Sequence, residues 1–391
     1  MNDTTSSPFS SPFDLPPMAP PSAEGSARVV FSGRRSEFVH LVSRGALLEL
    51  VTLGFYRFWL ATDIRRHLWS NTSVNGDAPE YTGTAKELFI GFLFALAILA
   101  PIYLIYFLIG LEAERLQAFA SIPLGLFFYL FAQFAIYRAR RYRLTRTIWR
   151  GVRFWMTGSG LSYAWRAGLW GLLVVLTLGL ALPWQKASLE RYKMRHTAYG
   201  DLQGHFEATG GSLFRRGWWL WLLAWPSVLL LAIPLPFIYA AFKAIEWRWW
   251  ISGVRIGDVR LESDLPRAAL IDLYWKVIGW TVLLSVAMSA WVGIVIGVAF
   301  ALAGEAGTTE QKFVIVSQQV SVIVALAVGY VLAALAAGAI TRLYLMRDMW
   351  QRVAESITVH NLAAADDVAA RGDPVSALGE GFADSLDVGG L

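Results

Sequence analysis

The 391-residue chain contains no cysteine, so it forms no disulfide bond and offers no thiolate ligand to a metal. Charged residues are also scarce, at 16% against roughly 25% in soluble domains. With a hydrophobic content of 56%, this shortage argues against an ordinary soluble protein. The sequence has no zinc-protease motif, no paired intramembrane carboxylates and no glycine-rich phosphate loop. We therefore predict that the protein is not an enzyme and has no catalytic residues, cofactor or metal.

Histidine is rare, and none of the five lies inside a long apolar run. A Ser–His hydrolase would need a histidine close to a buried serine, and the runs offer none. We interpret the histidines as interfacial or solvated residues. They are His40, His67, His196, His205 and His360.

Long apolar runs dominate what the sequence does contain. About 20 apolar residues at 1.5 Å per residue cross the ~30 Å hydrocarbon layer, and each run is long enough. The runs predict an all-α fold, a polytopic transmembrane helical bundle with internal repeats and small β-hairpin caps. They are Leu88–Leu111, Gln117–Tyr137, Leu161–Trp184, Trp218–Phe242, Ala269–Gly304 and Phe313–Met346.

Basic residues concentrate between the runs, although the net charge is only +5. Seven arginines lie between Arg138 and Arg153 with no acidic residue among them. Because this segment adjoins an apolar run, the positive-inside rule and anionic lipid headgroups explain it better than nucleic acid. The predicted partner is the phospholipid bilayer, including anionic lipids, and the oligomeric state is left open. The predicted outside links are Glu112–Gln117 and Glu305–Lys312, which places both termini in the cytoplasm.

The path of the middle of the chain stays open between two interpretations. If Leu161–Trp184 and Trp218–Phe242 each span once, the basic loop between them faces outside, against the positive-inside rule. If both dip in and return as re-entrant segments, every basic loop stays inside. The second run contains three prolines, which permit a bend, and we slightly favour this interpretation.

An internal repeat is the most informative pattern. Thr52–Trp59 recurs as Thr177–Trp184, displaced by 125 residues, and Arg66 matches Arg191 in the same register. Trp and Arg seven residues apart share a helix face, so the element predicts a short helix entering the bilayer and a basic helix on its surface. Asn75-Gly76 predicts a small β-hairpin cap over Thr72–Thr84.

These patterns divide the chain into a transmembrane domain and two tails. We predict a disordered tail at 1–27, a transmembrane domain at 28–360 and a disordered acidic tail at 361–391. Within the domain, repeat 1 covers about 31–155, repeat 2 covers about 156–268, and a hairpin covers 269–346.

Several short motifs together resemble one known family. They are Phe31-x-Gly33, the stretch 52–59, Arg65-Arg66-x-Leu68-Trp69, Glu80–Thr84 and Arg140–Phe154. The chain resembles the YjgN-like proteins, a bacterial inner-membrane family catalogued as a domain of unknown function, over roughly residues 28–360. It departs from the family at Ser43–Ala46, where an Asn is usual. The resemblance implies a multi-pass protein of the bacterial inner (plasma) membrane and supplies no activity.

Two functional hypotheses follow, transport or lipid handling first, and a non-transporting scaffold or sensor second. The scaffold would bind anionic lipid or a partner protein through its basic cytoplasmic loops. Glu49 stands out as a charge among apolar residues, and the other candidates belong to the repeated element. The candidate ligand or lipid contacts are Glu49, Tyr56, Trp59, Arg66, Trp184 and Arg191.

Overall fold

The structure, a computed structural model, describes residues 25–112, 117–229, 234–302 and 309–372. Its strands are β1 (Ser26–Phe31), β2 (Thr72–Val74), β3 (Glu80–Tyr81), β4 (Thr147–Trp149), β5 (Val152–Met156), β6 (Thr197–Tyr199), β7 (Leu202–Phe206), β8 (Val254–Ile256), β9 (Val259–Ser263) and β10 (Ile357–His360). Its α-helices are α1 (Arg35–Val51), α2 (Arg57–Ser70), α3 (Ala85–Glu112), α4 (Gln117–Thr145), α5 (Gly160–Leu176), α6 (Leu182–Arg195), α7 (Gly210–Leu229), α8 (Leu235–Gly253), α9 (Ile271–Leu302), α10 (Thr309–Gln318), α11 (Val320–Thr341) and α12 (Met349–Glu355). A π-helical segment (Arg342–Asp348) joins α11 to α12, and a 3₁₀ turn (Leu362–Ala365) follows β10.

The elements follow one another in five units, each made of a strand, a helix pair and a strand. The first unit is β1, α1, α2 and β2, and the fourth is β7, α7, α8 and β8. In the fifth unit the pair is α9 and α11, with the short α10 between them, and α12 continues the second helix. Each unit therefore starts and ends at the sheet.

The ten strands form one antiparallel sheet in the order β2-β1-β10-β9-β8-β7-β6-β5-β4-β3. Its two edge strands, β2 and β3, are neighbours in sequence, separated only by residues 75–79. Nine strand spacings of about 4.8 Å would put the edges of a flat sheet more than 40 Å apart. Five linking residues reach only about 20 Å. The sheet must therefore curve back on itself as an incomplete barrel.

The predicted fold class, an all-α polytopic bundle, is therefore wrong. The strands are only two to six residues long. Such short segments do not show a recognisable alternation of apolar and polar residues in the sequence. The predicted cap at Thr72–Thr84 shows the error in detail. Asn75 and Gly76 form a tight turn with φ of 53° and 90°, but β2 pairs with β1 and β3 pairs with β4. What looked like a local hairpin joins the two edges of the whole sheet.

Within the described residues, three helices are long and apolar enough to cross a membrane: Ala85–Leu108, Ile271–Leu302 and Val320–Glu355. Gly160–Leu176 is apolar but shorter, and its 17 residues reach about 25 Å. The predicted outside links Glu112–Gln117 and Glu305–Lys312 fall largely outside the described residues. Three of the six predicted spans therefore correspond to helices that are membrane-capable by length and composition among the described residues.

The two middle runs turn back toward the sheet. In the third unit α5 packs on α6, and in the fourth α7 packs on α8, so both ends of each pair lie at the sheet. The bent path therefore describes Leu161–Trp184 and Trp218–Phe242 better than a single straight crossing does.

The turn at the end of α5 uses two residues with left-handed backbone, Leu178 (φ 50°) and Gly179 (φ 90°). The Thr177 hydroxyl donates to the Leu173 carbonyl at 2.8 Å and accepts from the Ala181 amide at 3.1 Å. Thr52, Leu53 and Gly54 repeat this turn at the end of α1. Leu178 and Leu53 are 67% and 89% exposed, so both tips present a leucine outward.

Neighbouring helices of the same and of successive units pack on one another. α1 packs on α2, α4 on α5, α6 on α7 and α8 on α9, and α11 returns to pack on α1. Residues 361–372, assigned from sequence to a disordered tail, lie against the sheet, where Leu362 and Ala365 join a buried cluster with Val29, Val259 and Val359. Residues 1–24 and 373–391 of the predicted tails lie outside the described part of the chain.

Replacing Gly179 by alanine is expected to lower the free energy of unfolding by about 1 kcal/mol, because a Cβ disfavours the left-handed backbone there. The matched control is Gly211→Ala in α7, where an added methyl group meets open space and an alanine favours the helix. Thermal unfolding in detergent, followed by helical circular dichroism, measures both. Equal effects of the two substitutions would contradict the left-handed turn.

Candidate ligand-binding site

A cavity of about 450 Å³ lies where the second helices of the units meet the sheet. Its walls come mainly from α2, α4, α8, α12 and strands of the first and last units. They are predominantly apolar, with four tryptophans and three arginines. The lining residues are Val29, Arg65, Leu68, Trp69, Thr72, Val74, Arg140, Arg143, Leu144, Thr147, Trp247, Trp250, Ile251, Leu261, Met346, Trp350, Val353, Ala354, Ile357 and Val359. We call this the apolar chamber.

The tryptophans of the apolar chamber are held by hydrogen bonds and ring contacts. Trp69 and Trp350 stack with ring centroids 5.0 Å apart. Their indole N–H groups donate to the hydroxyls of Thr147 at 3.1 Å and Thr72 at 2.8 Å. Because the polar edges of the rings are satisfied in this way, the rings supply the chamber with rigid apolar surface.

A second cavity, of about 300 Å³, adjoins the first and is more polar. Arg140, Arg143, Trp247 and Trp250 line both cavities. The remaining charged residues of this polar chamber come from α6 and α8. They are Lys186, Glu190, Lys193, Lys243 and Glu246.

Glu190 is held in the polar chamber by three partners, Arg140, Lys193 and Trp250. Its carboxylate accepts from Arg140 and from the Trp250 indole, both at 2.9 Å, and it forms ion pairs with Arg140 and Lys193. Burial raises the pKa of Glu190, but the charges of Lys193 and Arg140 outweigh burial and lower it to about 2. Glu190 is therefore ionised throughout the physiological pH range.

Glu246 is held in the same manner on α8. It pairs with Lys186 and, at 3.1 Å, with Lys243. Burial again raises its pKa, but the two lysine charges outweigh burial and lower the pKa below its ordinary value. Each chamber carboxylate is thus shared by two basic side chains.

The two chambers together contain more positive than negative charge. Buried charge is costly unless an opposite charge accompanies it. Six basic side chains line the chambers, Arg65, Arg140, Arg143, Lys186, Lys193 and Lys243, against Glu190 and Glu246. The arrangement suits a ligand with an anionic group and an apolar part. Among the described residues no group of three or more His, Asp or Glu is placed to hold a metal ion.

Glu49, the most distinctive residue predicted from sequence, lies away from both chambers. Its side chain is buried on α1 and pairs with Arg342 through two contacts of 2.7 and 3.2 Å. This bidentate ion pair joins α1 to the start of the π-helical segment, so Glu49 links the first and last units.

The other predicted residues also lie outside the chambers. Tyr56 stacks on Trp59 at 6.3 Å, and Trp184 packs against Phe214. Arg66 donates to the carbonyl of Gly83 at 3.0 Å. Arg191 points to a separate outer cavity.

A helical face pattern could have identified the chamber. Ile136, Arg140, Arg143 and Leu144 follow the i, i+4, i+7, i+8 spacing of one helix face, and all four line a chamber. In the sequence these arginines were interpreted only as topological charges. On α2, Arg65 lines the chamber, whereas the predicted contact Arg66 does not.

Residues 26–244 match the family described as "Bacterial protein of unknown function (DUF898)". The match covers more than half of the 391 residues. The chain belongs to this family. The matched segment includes Arg65, Arg140, Arg143 and Glu190 but not the fifth unit.

Among curated proteins, the chain is similar to the inner membrane protein YjgN of Escherichia coli (strain K12). The two are 25% identical over 150 residues, which is 38% of this chain and 36% of YjgN. The alignment thus spans about a third of that relative's length. No solved structure matches the chain. The predicted resemblance to YjgN-like proteins is confirmed.

Replacing Glu190 by glutamine is expected to lower the free energy of unfolding by about 3 kcal/mol near neutral pH, because Arg140 and Lys193 lose their buried counter-charge. A lowered pKa stabilises the fold above the ordinary pKa of 4.5, and this contribution is lost as the pH falls toward about 2. The difference between wild type and variant should therefore shrink below about pH 4.5. The exposed Glu80→Gln serves as control, and denaturation across pH 3–8 measures both. A difference that stays constant down to pH 3 would contradict the assigned pKa.

Proposed function

We propose that this protein is a lipid-handling protein of the bacterial inner membrane, and that its central chambers bind an anionic amphiphile. The acidic headgroup would lie near Arg140 and Arg143, and the apolar part would lie against Trp69 and Trp350. The observation that carries the proposal is the joining of a basic chamber to an apolar, tryptophan-walled one through shared residues. The proposed activity is binding and presentation of a lipid, without a catalytic step.

The size and composition of the cavity support this class of ligand. Pockets for small amphiphilic ligands usually measure 300–1,000 Å³ and are mostly apolar with a few convergent polar groups. The apolar chamber alone, at about 450 Å³, accommodates an acyl segment or a similar hydrocarbon. Arginine is suited to carboxylate and phosphate groups because its planar fork donates two parallel hydrogen bonds.

The location of the site supports a ligand from the membrane. Three helices are long and apolar enough to span a bilayer, and the similar protein YjgN is named as an inner membrane protein. The apolar chamber is lined in part by strands of the sheet, and the two chambers together contain six basic side chains. By the positive-inside rule the sheet end faces the cytoplasm, and we place both termini on that side.

Cysteine labelling of the cysteine-free chain tests this orientation. Asn75→Cys and Thr209→Cys lie in different units but both at the sheet, so a membrane-impermeant maleimide should label both from the cytoplasmic side only. Leu178→Cys, at the tip of α5, should resist the reagent from either side because lipid surrounds it. Labelling of Asn75→Cys and Thr209→Cys from opposite sides would refute the common orientation of the units.

Lipid binding is tested by native mass spectrometry of the purified full chain. Lyso-phosphatidylglycerol is expected to bind at least about tenfold more tightly than lyso-phosphatidylcholine, because one charge-assisted contact contributes about 1.4 kcal/mol or more. Arg143→Gln should remove this preference. Arg248→Gln removes the same charge from the exposed side of α8 and should leave the preference intact. Equal binding of the two lipids by wild type would refute the anionic headgroup site, and no binding of either lipid would favour a scaffold that binds no lipid in its interior.

A further inference from the structure

A third cavity, of about 330 Å³, lies outside the central chambers, between α6 and the strands β7, β8 and β9. It is formed on the exposed face of the sheet. Along β7 and β9, Phe206 and Val259 are buried on one face, whereas His205 and Arg260 are exposed on the other. We call this cavity the outer pocket.

The sheet register brings two arginines and a histidine together at this pocket, and the two arginines are like charges. His205 lies directly opposite Arg255, and Arg255 lies directly opposite Arg260. Directly opposed residues have Cβ atoms about 5 Å apart, and like charges at such positions are destabilising. Their presence requires a compensating negative charge nearby.

The acidic residues at the pocket compensate for only part of this charge. Glu207 pairs with Arg255 at 3.1 Å, and Asp258 lies in the turn between β8 and β9. Helix α6 adds two further arginines, Arg191 and Arg195, to the pocket wall. Four arginines thus face two carboxylates, which leaves the pocket with excess positive charge.

We infer that the outer pocket is a phosphate-binding site. Arginines of α6 and β9 line one concave surface, an arrangement suited to a tetrahedral oxyanion with several acceptor oxygens. Arg255 of β8 adds positive charge to this surface, but its guanidinium already binds Glu207 and nearby backbone carbonyls. The phosphate belongs either to a soluble phosphate compound or to a phospholipid headgroup at the membrane surface. The site does not depend on the lipid proposed for the central chambers, since the two share no lining residue.

Calorimetric titration of the full chain in an uncharged detergent, with pyrophosphate as the probe, tests the inference. Saturable binding is expected, and Arg260→Gln and Arg195→Gln should each weaken it about tenfold. Arg34→Gln, an exposed arginine at the start of α1, should leave binding unchanged. Thermal unfolding of each variant shows whether the fold is intact.

The source of the phosphate is resolved by repeating the titration in mixed micelles. If phosphatidylglycerol displaces pyrophosphate and phosphatidylcholine does not, the anionic headgroup is the ligand, and if neither displaces it, the ligand is a soluble phosphate. The inference is overturned if no saturable binding occurs in any of these media. It is also overturned if Arg143→Gln in the central chambers, rather than Arg260→Gln, abolishes binding.

Discussion

The pairing of β1 with β10 is the constraint on which the remaining structure depends. It sets Ser26 opposite His360 and thereby places the last unit beside the first. Without it the five units would form an open row. With it, α11 packs on α1, and Trp350 of the last unit stacks on Trp69 of the first. The apolar chamber needs both sides of this junction, because its walls include residues from β1, α2, α12 and β10.

The short helix pairs of the first and third units satisfy the polar backbone groups at their tips internally. A chain that reverses direction in hydrocarbon must satisfy its backbone groups internally. The Thr-Leu-Gly turn does this locally. The Gly54 amide donates to the backbone carbonyl of Glu49, and the Thr52 hydroxyl accepts from the Tyr56 amide. The turn therefore carries its own hydrogen bonds, and its exposed large side chains are apolar, such as Val51, Leu53 and Phe55. The helices that this turn joins in the first and third units are 14 to 17 residues long.

The sequence predicts the parts of this molecule that depend on local pattern. The helices, the Asn75-Gly76 turn and the equivalence of Thr52–Trp59 with Thr177–Trp184 follow from periodicity and turn chemistry. The sheet cannot be predicted in this way, because its strands are too short to show alternation. Paired strands can also be more than 300 residues apart in sequence, as for Ser26 and His360. The basic segment Arg138–Arg153 shows that charge alone is an incomplete guide to structure. It contains part of a chamber wall, a tight turn and two strands, yet composition suggests only a cytoplasmic loop.

The candidate site was predictable only to the extent that one helix face can be recognised in isolation. Arg140 and Arg143 share such a face, but Glu190, which neutralises Arg140, lies on another helix 50 residues away. Long-range pairing of this kind leaves no mark in a single sequence. The choice between Arg65 and Arg66 could not be made from sequence, since adjacent helix positions differ by about 100° and the tryptophan spacing does not determine which of them faces inward.

Helix α6 connects the two candidate sites. Glu190 and Lys193 face the polar chamber, whereas Arg191 and Arg195 face the outer pocket. Charged residues thus occupy both sides of one 14-residue helix, which explains why it lacks the apolar face of a membrane helix. Within the polar chamber, Glu190 of α6 is bound by Arg140 and Trp250. On the other side, Arg191 and Arg195 contribute to the excess positive charge of the outer pocket. One helix therefore forms a wall of each site, although the two sites share no side chain.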